Sequence, residues 1–369
     1  MGSEMCIRDR NMSEGTPAMW MRGGTSKGLY FLKEDIPNDI AKREDFLLSV
    51  FGSPDNLQIN GVGGGNPLTS KVAIVSKSKR SDIDVDYLFL QVAVDDYVVS
   101  STQNCGNILA GIAPFAIERG LIKPEKDKTS VRIFMENSKQ IAIATVDTPD
   151  GTLTYNGNTY IDGVTLPSSP ISLEFLDIEG SLCGELLPSG NIKDEIDGYS
   201  VTMIDNGMPC VIIEASQLGL NGNERVEELE QNSALRETLE SLRLKCGKIM
   251  NLGDVKEKTV PKMTIVSKPL HDGMINTRTF IPHRCHRSIG VFGAISVATA
   301  CLIEDTPINK LSIIPNGEKK LCSIEHPSGQ MHVLAELRDK KIKSTAILRT
   351  ARKLFDGMVF PHEESEKAN

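Results

Sequence analysis

Two residues in this sequence have both the type and the surroundings for chemistry. Cys105 sits in the polar turn Gln103-Asn104-Cys105-Gly106-Asn107, and an apolar run from Ile108 to Ile117 follows at once. That run predicts a buried helix over 108–120, stopped by Gly120 and kinked at Pro114. A helix N-terminus carries unpaired N–H groups and partial positive charge, so it attracts anions and favours a thiolate. Lys71 follows the glycine loop 61–66 and opens the apolar strand Val72-Ala-Ile-Val75. A lysine there is ordinarily a solvated strand end, but next to a cysteine and exposed loop backbone it also suits a desolvated base. Free thiols and lysine amines titrate near roughly 8.5 and 10.4. Helix ends lower the former, and burial or a neighbouring cation lowers the latter. A pair of this kind takes a proton from a carbon acid and returns it elsewhere without metal or cofactor. Converging backbone N–H groups would have to stabilise the enolate-like charge. The plain alternative for Cys105 is a buried structural thiol.

Other motifs promise less. Gly23-Gly24-Thr25-Ser26-Lys27 lacks the order of a phosphate loop, and a strand follows where a helix should. Ser26 and Lys27 read as an anion-contacting turn, or as a solvated one. The triple glycine 63–65 precedes Pro67 and a strand, whereas a dinucleotide fingerprint must open a helix. In His283-Arg-Cys-His286 the two histidines do not meet on a regular helix and no carboxylate cluster lies nearby, so no metal is expected. His286-Arg287, at the start of a second apolar stretch, reads as a contact to a substrate carboxylate, with capping as the plain reading. A serine-hydrolase elbow and a Cys-His-Asn arrangement are both lacking.

The elements that must position these residues follow from composition and pattern. A chain of 369 residues exceeds one ordinary core, so two domains are expected. With 40% hydrophobic and 24% charged residues it reads as globular and soluble. A net charge of -8 argues against nucleic acid and anionic membranes as partners, though not against an anionic substrate held by a local field. The eight cysteines are scattered without a C-x-x-C pair, which suits reduced thiols in the cytoplasm. No apolar run is long enough to span a bilayer. Residues 1–15, with Cys6, read as an extension outside the fold.

Strands are expected at 17–21, 29–32, 72–75, within 83–99, at 131–135 and at 141–146, with a helix over 38–52 capped by Asn38. Turn clusters at 167–170 and 187–190 mark the passage to a second half. There the pattern predicts strands at 200–204, 210–214, 263–266 and 278–281, and an exposed amphipathic helix over 224–244. A second largely apolar helix, 289–303, is again entered through a polar turn, and further strands are expected at 321–325 and 330–336. The repeat reads as an internal duplication. A helix apolar on every side must be wrapped, most economically by a curved sheet. The expectation is two similar α/β domains, 16–188 and 189–369, with the last segment packing back on the first and both helix N-termini facing a shared cleft.

Nine motifs, in order, carry a resemblance: Arg22-Gly-Gly-Thr-Ser-Lys-Gly28, Thr69-Ser-Lys-Val-Ala-Ile-Val75, Asn104-Cys-Gly-Asn107, Ile161-Asp-Gly-Val164, Leu186-Leu-Pro-Ser-Gly190, Pro261-Lys-Met263, His286-Arg287, His326-Pro-Ser-Gly329 and Arg349-Thr-Ala-Arg352. From about residue 16 onward the chain resembles the PrpF family, which includes 2-methylaconitate cis-trans isomerase, methylitaconate Δ-isomerase, oxalomesaconate tautomerase and aconitate Δ-isomerase. The resemblance implies a diaminopimelate epimerase-like fold, two pseudo-symmetric domains each a curved, barrel-like sheet around a central buried helix. It implies cofactor-free isomerisation of an unsaturated di- or tricarboxylate, with Lys71 as base and Cys105 as the active-site cysteine. Ser26, Asn66, Asn104, Gly106, Asn107, Arg278 and His286 match the carboxylate-binding surroundings. The epimerases of this fold carry a second cysteine where this chain has Ser288-Ile-Gly-Val-Phe-Gly293, so a one-sided lysine–cysteine proton shift is expected instead of a two-thiol racemase. A keto-enol tautomerase and a non-catalytic polycarboxylate-binding protein are the alternatives. A homodimer is the expected assembly.

Overall fold

The computed structural model describes residues 15–101, 105–339 and 341–362, and all structural statements concern these. In chain order the elements are β1 (Thr16–Gly23), β2 (Ser26–Leu32), α1 (Ile40–Phe51), β3 (Lys71–Lys77), β4 (Val85–Val92), β5 (Val99–Ser100), α2 (Gly106–Leu109), α3 (Ile112–Glu118), β6 (Asp127–Met135), β7 (Gln140–Thr148) and β8 (Pro170–Phe175). Then come β9 (Asp194–Ile196), β10 (Tyr199–Asp205), β11 (Pro209–Glu214), α4 (Val226–Gln231), α5 (Ser233–Ile249), β12 (Lys262–Ser267), β13 (Ile275–Phe280), α6 (Val291–Leu302), α7 (Pro307–Leu311), β14 (Lys319–His326), β15 (Gly329–Arg338) and β16 (Lys341–Val359). By contact the described residues gather into two compact units, one of residues 15–101, 105–123, 134–139 and 351–362, the other of 124–133, 140–339 and 341–350. The expected halves follow the repeat along the chain, whereas the units follow contact.

In the first unit β1 and β2 form an antiparallel hairpin, β2 lies parallel to β3, and β3 is antiparallel to β4. The end of β16 adds beside β1. Alternation along the strands splits their side chains between two faces. Ala18, Trp20, Leu29, Phe31, Val72, Ile74 and Leu90 meet Leu47, Leu48, Val50 and Phe51 of α1 in one core. The opposite face carries Tyr30, Lys71, Ala73, Tyr87, Phe89 and Gln91, and α2 packs against β1, β2 and β3.

The second unit repeats this order. β10 and β11 are antiparallel, β11 and β12 parallel, and β12 and β13 antiparallel. Helices α4 and α5 fill the parallel crossover as α1 does in the first unit, and α5 closes a core with Val211, Met263, Ile265 and Phe280. After the fourth strand comes the apolar α6, buried from Gly293 to Leu302 and packed against β10, β11, β14 and β15. The parallel pairs begin alike, Gly28 with Lys71 and Cys210 with Lys262, although the preceding hairpin closes from Gly23 to Ser26 in the first unit and from Asp205 to Pro209 in the second. The internal duplication read from the sequence is therefore a duplication of topology.

Several local expectations change. Helix α1 is capped by Asp39, whose Oδ1 accepts the Lys42 N–H at 3.0 Å, because Asn38 lies one residue too early. Ser26 and Lys27 belong to β2, since Gly24 (φ 51°) and Thr25 suffice for the turn. The helix expected over 108–120 breaks at Ala110–Gly111. Tyr30 Oη donates to Ile108 O at 2.6 Å, and a Cβ at Gly111 would come within 2.3 Å of that hydroxyl. The break falls before Pro114 and not at it, so the proline stands in the first turn of α3, where a missing N–H is tolerated. The charged helix expected over 224–244 is two helices, because Asn232 accepts the Leu235 N–H at 3.0 Å and starts α5 afresh.

Candidate functional site

Lys71 opens β3 with 8% of its surface exposed. Its Nζ donates to Gln91 Oε1 at 2.7 Å and lies 5.1 Å from the centre of the Phe89 ring. Gln91 is tied in turn, its Nε2 donating to Ser70 O at 2.9 Å and Pro67 O at 3.0 Å. The glycine loop before Lys71 wraps an internal group and does not stand open: buried Gln58 accepts from Gly65 N at 2.9 Å and from Ser70 Oγ at 2.8 Å. A Cβ at Gly63 would reach within 2.1 Å of the same oxygen. Asn66 accepts the Leu68 N–H at 2.8 Å and so shapes the turn that delivers Ser70 and Lys71.

Cys105 is half-buried at the N-cap of α2, in extended backbone (φ -132°), and its side chain makes no cap bond. Gly106 and Asn107 follow in the first turn. Asn107 Nδ2 donates to Thr25 Oγ1 at 3.1 Å and reaches Ser26 Oγ at 3.5 Å. A Cβ at Gly24 would sit 2.2 Å from Asn107 Oδ1, so the β1–β2 turn and the start of α2 are fitted to each other. Tyr87, on the face that carries Lys71, is wholly buried, and burial with the neighbouring Cys105 pushes its phenol well above its ordinary pKa. Asn104 lies outside the described residues. The first unit thus brings Lys71 onto the sheet face that α2 covers, and gathers Ser26, Gly106 and Asn107 at the start of α2.

Arg278 and His286 belong to the second unit. Arg278 is buried on β13, where its guanidinium donates to Glu224 O, Asn276 Oδ1 and Thr277 O at 2.8–2.9 Å. His286 is exposed in the turn before α6, its Nδ1 accepting the Ser288 N–H at 2.8 Å. His283 approaches Glu240 at 3.7 Å, while Cys285 joins the α5 core, where burial pushes its thiol up to about 11. The three residues of the histidine–cysteine turn therefore lie in separate surroundings. At Gly290, the N-cap of α6, the chain has no thiol to match Cys105.

Gln91, Gln58 and Tyr30 were not legible as site-shaping residues. Gln91 became important only because β3 and β4 pair Lys71 directly with it. The one signal in the sequence was a polar residue closing the alternating strand 85–91.

Against known proteins, the PrpF protein family model matches residues 14–362. The chain belongs to the PrpF family. PrpF relatives with similar sequences include the (4E)-oxalomesaconate Delta-isomerase of Novosphingobium sp. (strain KA1), 57% identical over 96% of this chain and 99% of the relative. The 4-oxalomesaconate tautomerase of Pseudomonas putida is 53% identical over 93% of this chain and 95% of its own length. The crystal structure of methylitaconate-delta-isomerase superposes with a TM-score of 0.86 at 31% identity, covering 96% of this chain and 99% of that one. The PrpF fold of this chain is the diaminopimelate epimerase-like α/β arrangement expected. Like these relatives, it is an isomerase. No helix among the described residues is long and apolar enough to cross a membrane.

Proposed function

We propose that this PrpF protein moves a proton within oxalomesaconate, an unsaturated oxo-tricarboxylate, with Lys71 as base and Cys105 as the group that returns the proton. One observation carries the choice of substrate. Both relatives above half identity are named for oxalomesaconate, whereas those named for 2-methylaconitate and 3-methylitaconate share 33% and 32%.

The chemistry supports a single base. A carbon next to both a ketone and a C=C bond is far more acidic than one beside a lone carboxylate. Lys71 takes that proton, and the electron pair spreads through the ketone and the conjugated double bond. A proton delivered to the far carbon gives the shifted alkene, and one delivered to oxygen gives the enol. The first outcome is a Δ-isomerase and the second a tautomerase, both from one intermediate. Ser26, Asn66, Asn104, Gly106, Asn107, Arg278 and His286 are assigned to the carboxylates. Cytoplasmic location and a homodimer belong to the same proposal, and sedimentation of the purified chain tests the dimer.

Proton NMR in D2O decides the function. Deuterium entering the far carbon of the original double bond, with loss of its vinylic signal, supports Δ-isomerisation, and exchange of the methylene protons with that vinylic signal retained supports the tautomerase. Turnover of 2-methylaconitate or methylitaconate with none of oxalomesaconate overturns the substrate. Line broadening without exchange on any of these acids makes the chain a binding protein. Lys71→Met should abolish exchange with the fold intact.

A further inference from the structure

In the first unit one buried hydroxyl is left without a protein partner. Tyr87 projects from β4 onto the face that carries Lys71, with 1% of its surface exposed. Its Oη meets no hydrogen-bonding group among the described residues, although it is shut off from solvent. Buried polar groups are nearly always paired, and an exception calls for a reason. A phenylalanine would fill the same space without the cost of an unpaired hydroxyl. Tyr30, on the same face of β2, shows the ordinary case: its hydroxyl donates to Ile108 O at 2.6 Å and its ring lies 5.7 Å from that of Phe115.

Tyr87 and the chain that leads to Cys105 are both fastened to β4. Asn137 acts as a strand neighbour there. Its Oδ1 accepts the Phe89 N–H at 2.8 Å, and its Nδ2 donates to Phe89 O at 2.9 Å and to Ser101 O at 2.8 Å. Glu136 N donates to Tyr87 O at 2.8 Å. Four residues after Ser101, Cys105 caps α2 with a side chain that makes no cap bond. Of the charged groups on the surrounding elements, Arg22 donates to Gly24 O, Lys71 to Gln91, and Glu118 accepts from Lys353, while α2 carries no charge. Burial, then the neighbouring Cys105 and Tyr30, push the phenol well above its ordinary range, so it keeps its proton and stays a donor. An acceptor arises beside it when Cys105 gives up its own proton. In the proposed reaction Lys71 holds the proton taken from one carbon. The Cys105 S–H then passes its proton to the product, the electron pair stays on sulfur, and both groups reset by exchange with solvent.

We propose that Tyr87 is a positioning residue that acts through Cys105, its hydroxyl donating to the thiolate each time the cysteine gives up a proton. This rests on the reading of Cys105 as the group that returns the proton. The test is Tyr87→Phe, which removes one oxygen and keeps the packing. Without the donor the thiolate is less stable and Cys105 a weaker acid. The pH curve for iodoacetamide labelling of Cys105, followed by peptide mapping, should therefore move up by about one unit, as expected for one hydrogen bond to a charged acceptor. On oxalomesaconate in D2O, kcat for product formation should fall about 10-fold with KM nearly unchanged. Exchange of the methylene protons, which is the work of Lys71, should stay at the wild-type rate. The urea midpoint should equal or exceed that of wild type, because an unpaired hydroxyl has left the core. A labelling curve superimposable on wild type overturns the proposal. A lower urea midpoint does so too, because it would give the hydroxyl a structural partner, and so does an equal slowing of exchange and product formation. If wild type leaves oxalomesaconate untouched, the proposed substrate fails by itself, and the labelling curve still decides the role of Tyr87.

Discussion

Replacing Gln91 tests the central feature of the first unit, a lysine held by one side-chain acceptor. Gln91→Leu keeps the approximate size but removes the acceptor 2.7 Å from Lys71 Nζ and the donor to Ser70 O and Pro67 O. A hydrogen bond to an amine of this kind contributes about 1.5–3 kcal/mol, and a buried carbonyl left alone costs about 1 kcal/mol more. Pro67 O is near solvent and recovers a water, so the net loss should be about 2–4 kcal/mol, read as a lower urea midpoint. The kinetic effect is separate. Freed from Gln91, the amine keeps the Phe89 ring beside it but loses its fixed acceptor and samples several rotamers, so kcat should fall about 10- to 100-fold with KM nearly unchanged. Gln91→Glu keeps the geometry but sets a negative charge beside the amine, which favours the ammonium form. Its kcat should be low at neutral pH and climb as pH rises, moving the acidic limb of the profile upward. Steady-state kinetics from pH 6 to 10 and urea titrations, on both variants, supply the measurements. A Gln91→Leu variant with wild-type kcat and midpoint, or a Gln91→Glu profile superimposable on wild type, would refute the role given to this contact.

Two further outcomes are expected. Of the seven described cysteines, six are buried, with burial pushing Cys183, Cys210, Cys246, Cys301 and Cys322 up to about 12 and Cys285 to about 11, whereas Cys105 is half-buried. Limited iodoacetamide treatment at neutral pH should therefore label Cys105 first among them and abolish turnover in step, as peptide mapping against residual activity will show. Labelling elsewhere first, or a fully labelled active enzyme, contradicts this. Acid stability should follow His326, whose folded ring stays neutral to about 4 while the unfolded ring protonates near 6.5. The unfolded chain then binds the extra proton, so stability present above pH 6.5 is lost as pH falls toward 4, with His332 shifted in the same direction. His326→Gln should flatten the urea midpoint against pH in that window, and a slope equal to wild type there would refute the assignment.

The sequence by itself determined the elements and their duplication. Apolar periodicity is local, so the alternating strands, the all-apolar stretch that became α6 and the glycine stop at Gly120 were legible one after another. Ordered motifs fixed the family as well. Helix breaks were less legible: the break at Gly111 depends on Tyr30, which lies far off in the chain and only meets that backbone once β2 and α2 pack. Tertiary structure also decided which polar residues matter. Strand register set Gln91 opposite Lys71, and packing closed the glycine loop around Gln58, turning an apparent ligand cradle into a fitted support for the lysine. The unpaired Tyr87 hydroxyl is equally hidden in the sequence, because only packing shuts it off from solvent beside Cys105. Hydrophobic pattern is written along the chain, but hydrogen-bond partners are chosen only by the fold that brings them within 3 Å or so of each other.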